Sequence, residues 1–311
     1  MSDHILSYFQ AQISHCQLCP RMCGVDRNAQ RGFCQAPAGA VAARAALHFW
    51  EEPCISGTKG SGTVFFSGCT LRCCFCQNYK ISRDLYGKPL TTRELADAFL
   101  RLQDQGANNI SLVTATHFLP WIIPALDLVK DRLQIPVVYN CGGYERVETV
   151  KALHDYVDIW LPDLKYESSE LSTRYSQAPF YFQTAASAIS QMIRQTGAPH
   201  VREIPGESMP VMDRGVIIRH LVLPGQKEDS IRLMHWIAEN LPKDSFYISL
   251  MSQYTPYEKN PQFPELNRRI TSYEYQKVVD TALDLGLTQG FMQEKSSAKE
   301  EYTPDFNLEG L

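Results

Sequence analysis

Apolar residues fall in short runs from residue 63 onward, separated by stretches where they recur every three or four positions. The runs are TVFFS (63–67), NISLVT (109–114), IPVVYN (135–140), VDIWLPDL (157–164), GVIIRHLVL (215–223) and SFYISLMS (245–252). Their β-branched and aromatic content predicts strands. Helical spacing fills 91–106, 120–131, 146–154, 183–196, 229–240 and 272–285. In the first of these, Thr92 is the expected N-cap, Leu95, Phe99 and Leu102 share one apolar face, and Gly106 is the stop. Strands alternating with helices predict an α/β chain with a parallel sheet and right-handed crossovers. About six such units give a partial (β/α)6 barrel, in which chemistry gathers at the C-terminal ends of the strands.

The flanks break this rhythm. Residues 1–60 hold CQLCPRMCGVDRNAQRGFC and much Gly, Ala and Pro, and are expected to form a small cysteine-rich extension. The core barrel is then expected over 61–290 and a tail over 291–311. The segment QYTPYEKNPQFPELNRRIT (253–271) is Pro-rich and polar, as a long loop would be.

Composition narrows the picture. A chain of 311 residues with net charge −4 has no broad basic surface to bind nucleic acid nonspecifically. No apolar run reaches the roughly 18–20 residues of a membrane helix. The opening MSDHILSYFQAQISHCQ lacks a cationic stretch followed by an apolar core, so a cytoplasmic protein is expected. Ten cysteines in a chain kept reduced point to metal ligands or redox groups rather than disulfides. Isolated Cys54 and Cys141 read as small buried hydrophobes.

Four cysteines crowd into GCTLRCCFC, just past the first predicted strand. Cys69, Cys73 and Cys76 have the spacing C-x3-C-x2-C, which lets three thiolates turn inward around one centre. A structural zinc or an iron–sulfur cluster usually takes four protein ligands, so three leave one position open for chemistry. Cys74 fits as a packed thiol pointing away. This motif, with Phe75 before its last cysteine, resembles the cluster motif of the radical S-adenosylmethionine superfamily. The resemblance implies a [4Fe-4S] cluster on Cys69, Cys73 and Cys76, S-adenosyl-L-methionine on its open iron, and Phe75 beside the adenine. It also implies reductive cleavage to methionine and a 5′-deoxyadenosyl radical, which takes hydrogen from a substrate, with flavodoxin or ferredoxin as reductant.

Further segments carry the likeness. Where the family often has a glycine-rich motif after the second strand, this chain has VTATH (113–117), so Thr114, Thr116 and His117 are the available polar groups. Asn140 ends the third run. LPDLKY (161–166) resembles the D-x-K motif of glycyl-radical-enzyme activases, which implies that Asp163 and Lys165 lie beside the cofactor. Of Arg219 and His220, which alternate faces, one enters the barrel. The string EEPCISGTKGSGTVFFSGCTLRCCFCQNYKIS (51–82), with LVTATHF (112–118), MSQYTP (251–256) and YTPDF (302–306), resembles the branch known as pyruvate formate-lyase-activating-enzyme-like Fe–S proteins.

The spacing Cys16-x2-Cys19-x3-Cys23-x10-Cys34 suits a second metal site, either zinc or a second Fe–S cluster, or else reduced structural cysteines. A similar opening occurs in radical S-adenosylmethionine proteins of the AmmeMemoRadiSam type. Arg21, Arg27 and Arg31 lie among these thiols and favour an anionic centre, or are simply solvated. Three functions compete: a glycyl-radical activase with a protein partner, a radical enzyme acting on a small molecule, peptide or RNA, and a non-catalytic metal-binding module. For the second, the 253–271 loop and the tail are a lid, with Gln253 and Tyr254 as substrate contacts, against Tyr254 and Tyr257 as loop packing.

Overall fold

A computed structural model describes residues 2–256, 260–293 and 303–311. Tyr257 and residues 294–302 of the expected tail lie outside the described residues. The strands are β1 (Ala40–His48), β2 (Ser61–Phe66), β3 (Lys88–Leu90), β4 (Ile110–Val113), β5 (Val137–Cys141), β6 (Ile159–Pro162), β7 (His200–Arg202), β8 (Val211–Leu221), β9 (Tyr247–Met251) and β10 (Gly290–Met292). The helices are α1 (Ser2–Ser14), α2 (Pro53–Ser56), α3 (Tyr79–Ser82), α4 (Thr92–Asp104), α5 (Leu119–Val129), α6 (Val147–Ala152), α7 (Ser169–Ser176), α8 (Tyr181–Thr196), α9 (Lys227–Asn240) and α10 (Ser272–Asp284).

The sheet runs in the order β10-β9-β8-β6-β5-β4-β2-β1-β3, with β7 paired to β8. From β2 to β10 the neighbours along this path are parallel, and helices cross over between most of them. This is the expected partial (β/α) barrel, its six strands joined by the short seventh strand β10. The helices bury one face each; in α4, Leu95, Phe99 and Leu102 are 0–2 % exposed. The N-cap of α4 is Thr91, not Thr92: Thr91 accepts from the Glu94 N–H while the Glu94 carboxylate accepts from the Thr91 N–H. That reciprocal bond needs a glutamate three residues on, which only Thr91 has.

Residues before the expected boundary at 60 also contribute to the sheet. β1 pairs antiparallel with β2 and with β3, so the sheet already contains residues 40–48. Because β1 runs against β2, it ends beneath the barrel, where His48 faces Ser61 at the start of β2. The next turn, α2, plugs that lower end. Cys54 and Ile55 pack on Val138, Ile159, Leu161, Met212 and Ile217. Pro53 opens α2 in the position where its missing N–H costs nothing.

The segment before β1 lies over the opposite end. Arg21 sits 3.5 Å from the Phe33 ring centroid and Arg72 4.7 Å, so two guanidiniums flank one ring. Arg21 also donates to the Thr70 carbonyl and Arg72 to that of Phe33. Gly68 packs so closely that a side chain there would meet the Cys34 carbonyl at 2.6 Å. Among the described residues, no helix is long and apolar enough to cross a membrane.

Candidate active site

Strand β2 ends at Phe66, and the chain turns through Gly68 at φ +87° into the cysteine loop. A cavity of about 320 Å³ opens below this loop. Cys69, Cys73, Cys76 and Phe75 line it from above, and Thr114, Asn140, Asp163, Lys165 and Arg219 from the strand ends. Cys74 is not in its wall; its N–H donates to the Tyr175 carbonyl, and burial pushes its thiol up to about 12. Isolated Cys54 and Cys141 are 4 % and 1 % exposed, and Cys141 also borders the cavity.

The three lining thiols receive donors suited to sulfur ligands. The Leu71 N–H points at Cys69 Sγ at 3.3 Å and the Ser176 hydroxyl at Cys73 Sγ at 3.0 Å; Cys76 Sγ lies 3.4 Å from Ser82 Oγ. Burial raises the Cys69 and Cys73 thiols, and nearby Lys165 opposes it. Among the described residues, no three His, Cys, Asp or Glu side chains are already gathered closely enough to hold a metal ion. Binding a cluster would draw these thiols together and release their protons. Three thiols, sulfur-directed donors and an adjacent ammonium fit a [4Fe-4S] group with one iron left free of protein.

Beneath the cysteines lies a charged layer. Lys165 Nζ is 2.5 Å from Asp163 Oδ2, and Arg219 is 3.0 Å from Asp163 Oδ1 and 3.2 Å from Glu51 Oε2. Asn140 donates to Glu51 Oε1 at 3.0 Å and accepts from Arg219 at 2.6 Å. These side chains are mostly shielded, with 9–17 % of each charged one exposed. Burial works against the Asp163 charge, yet Arg219 and Lys165 hold its carboxyl below the usual range. Burial likewise opposes the Lys165 charge, and Asp163 holds it above its ordinary value. Glu51 moves the other way: burial raises it although Arg219 is adjacent.

The strand register explains the meeting of distant residues. Asp163 bridges to Arg219, Arg219 pairs with Ser249, and Ser249 pairs with Phe291, all at one level of the barrel. His220, on the alternate face, lies behind the wall against the Leu164 carbonyl and the Ser230 hydroxyl. Gly143, at φ +77°, allows the turn after β5 to pass so near the Asp163 carbonyl that a side chain there would meet it at 2.1 Å.

Two of the expected polar groups do not reach the cavity. His117 is 2 % exposed, its Nε2 bonds the Ser67 carbonyl, and burial lowers it to about 4. His117 lies in the 3-10 turn Thr116–Phe118 and is not among the residues that line the cavity. Thr116 is turned to the Glu145 carboxylate at 2.7 Å. Gln253 and Tyr254 both border the cavity; Tyr254 sets its ring edge-on to Phe75 at 6.2 Å and donates to the Leu266 carbonyl.

Sequence reasoning missed Trp50, Glu51, Glu52 and Ser249, all of which line the cavity. The usable signal was two adjacent acids between a tryptophan and a proline.

The N-terminal thiols form a second group. Backbone N–H groups of Leu18, Arg21 and Ala36 interact with the sulfurs of Cys16, Cys19 and Cys34, two residues on in each case, as Leu71 does with Cys69. Arg27, 4 % exposed, lies near all four thiols and donates to the His117 carbonyl. Cys16 and Cys19 are buried, and Cys23 is exposed.

Comparison with known proteins agrees with this geometry. A family model described as the Radical SAM superfamily matches residues 63–178. An uncharacterized protein of Methanocaldococcus jannaschii is 30 % identical over 278 residues, covering 86 % of this chain and 74 % of its own. Streptococcus suis SuiB bound to S-adenosylmethionine aligns at TM-score 0.48 and 13 % identity, covering 77 % of this chain and 48 % of SuiB. This chain therefore spans about half the length of SuiB. A domain of pyruvate-formate lyase-activating enzyme from Bacteroides vulgatus aligns at TM-score 0.38 and 15 % identity, covering 55 % of this chain and 89 % of that domain. At these scores the two structural likenesses carry no argument about chemistry.

Proposed function

This chain belongs to the radical SAM superfamily, and on that premise we propose that Cys69, Cys73 and Cys76 hold a [4Fe-4S] cluster at which S-adenosylmethionine is cleaved reductively. One observation carries the reading. Three of the four crowded cysteines share a cavity wall with Phe75, Asp163, Lys165 and Arg219, while the fourth, Cys74, is outside it. When bound, the reduced cluster would supply one electron to the sulfonium of the cofactor, whose C–S cleavage to methionine would yield a 5′-deoxyadenosyl radical able to take a hydrogen atom from a substrate.

The chain's own residues bind, orient and shield. Lys165, held charged by Asp163, attracts an anionic group such as a carboxylate. Asp163 is fixed by Arg219, so the ammonium is aimed rather than free. Phe75, backed by Tyr254, offers a flat apolar face to an aromatic base. The Thr114 hydroxyl and Asn140 amide add neutral polar groups at the strand ends. The N-terminal segment backs the cysteine loop, and Gln253 and Tyr254 border the cavity, which limits the access of water to a reactive centre. Flavodoxin or ferredoxin would deliver the electron, and ten free cysteines suit a reducing compartment such as the cytoplasm. Within the same proposal, Cys16, Cys19, Cys23 and Cys34 hold a second metal. The support is the donation of N–H groups to sulfur with the buried Arg27 beside them.

The test is anaerobic reconstitution with iron and sulfide, then dithionite and S-adenosylmethionine, with 5′-deoxyadenosine measured by mass spectrometry. Wild type and Cys74→Ala should form it, and Cys69→Ala, Cys73→Ala and Cys76→Ala should not. Full activity in Cys73→Ala would sink the ligand assignment.

A further inference from the structure

The cofactor chemistry leaves the floor of the cavity without a task. Glu52 lines that floor, is 8 % exposed, and its Oε2 has no hydrogen-bond partner among the described residues. It occupies the N-cap of α2, yet its side chain does not cap the helix. Among the described residues, its side-chain donor is Ser249. Every other charge in the layer is matched. Glu51 is taken by Arg219 and Asn140, and Asp163 by Arg219 and Lys165. Three carboxylates therefore face two cations; Arg219 lies within electrostatic reach of Glu52, yet among the described residues Glu52 is the acid of this layer with no ion pair or hydrogen bond to either cation. A buried carboxylate oxygen without a donor is costly, and natural sites keep such groups where a ligand completes them.

The same cavity has aromatic residues in its lining. Phe291 stands in register with Ser249, and Trp50 and Phe65 border the same space. A cavity that offers both an incompletely bonded carboxylate and aromatic rings favours an organic cation, which gains both charge pairing and contact with ring faces. A neutral or anionic group gains neither.

We infer that the floor is a substrate subsite for a cationic nitrogen group, a primary ammonium or a guanidinium, held by Glu52 and flanked by Trp50, Phe65 and Phe291. The inference rests on the proposed function for the word substrate and on the cavity alone for the site. It favours a small molecule or an inserted basic side chain over the backbone glycine of an activase partner, which brings no charge.

The experiment is a calorimetric titration of the purified chain with benzylammonium and methylguanidinium, with benzyl alcohol and benzoate as uncharged and anionic controls. Saturable binding of at least one cation and of neither control is expected. Glu52→Gln, which keeps the shape and removes the charge, should weaken that binding by about tenfold or more. It should leave the affinity for S-adenosylmethionine, titrated separately, unchanged. Equal cation binding by wild type and Glu52→Gln overturns the inference, as does no binding of either cation. An equal loss for S-adenosylmethionine also overturns it, because Glu52 would then serve the cofactor. The thermal transition of Glu52→Gln is recorded alongside. If the variant does not fold, Glu52→Asp takes its place, and a cation affinity unaltered by the shorter reach overturns the inference equally. Failure of the proposed function reads differently: wild type then forms no 5′-deoxyadenosine while the cations still bind.

Discussion

Glu145 lies behind β5, 1 % exposed, and is the buried acid whose protonation the fold controls most openly. Thr116 Oγ1 donates to its Oε1 at 2.7 Å, and the Tyr139 hydroxyl is 3.4 Å from its Oε2. Burial outweighs these donors and lifts its carboxyl from 4.5 to about 8. The folded chain thus keeps a proton that the unfolded chain gives up. Stability from this group is fully present below about pH 4.5 and is lost as pH rises through about 8. The interval from 4.5 to about 8, at about 1.4 kcal/mol per pH unit, makes the whole loss about 5 kcal/mol. Glu145→Gln has the same shape and no ionisation, so it should lack this loss. The assay is urea unfolding of wild type and variant, metal-free and thiol-reduced, from about pH 5 to about pH 9. The wild-type stability minus the variant's should fall with pH at up to about 1.4 kcal/mol per unit and level off above about 8. Other titrating groups cancel in that difference. A difference independent of pH would refute the reasoning, because Glu145 would then be ionised in the fold.

Other outcomes follow from the same geometry. Arg219→Leu strands Glu51 and Asp163 in a shielded layer, and denaturant unfolding should show a loss of about 3–5 kcal/mol; a loss below about 1 kcal/mol would show that water already screens the layer. Cys19→Ser and Cys34→Ser should each remove the metal that reconstituted wild type carries beyond about four irons per chain. Identical metal content in variants and wild type would mean that the N-terminal thiols are reduced packing groups.

What the chain disclosed in advance and what it hid have a physical basis. All six apolar runs became strands, because a parallel strand buried on both faces must be apolar nearly throughout. β1 escaped notice because AVAARAALH is alanine-rich and alanine has little strand preference; pairing with β2 and β3 makes it a strand. In α7, SELSTRYS shows no apolar period, and its place is fixed by Ser168 capping the Leu171 N–H. The cysteine loop was readable because its residues are neighbours in sequence. Glu51 was not, since its partner Arg219 is 168 residues away and an acid in isolation reads as surface. His117 misled because polarity and strand-end position were visible, while the turn that buries it was not.

The helical stopper α2 gives the barrel interior one blind end. A chamber that fills from the cysteine-loop end would load in sequence, and whatever sits on Glu52 would go in before anything settles across that loop. Turnover would then have a compulsory order, with the deep ligand first to arrive and last to leave. The cofactor itself would serve as the chamber's lid.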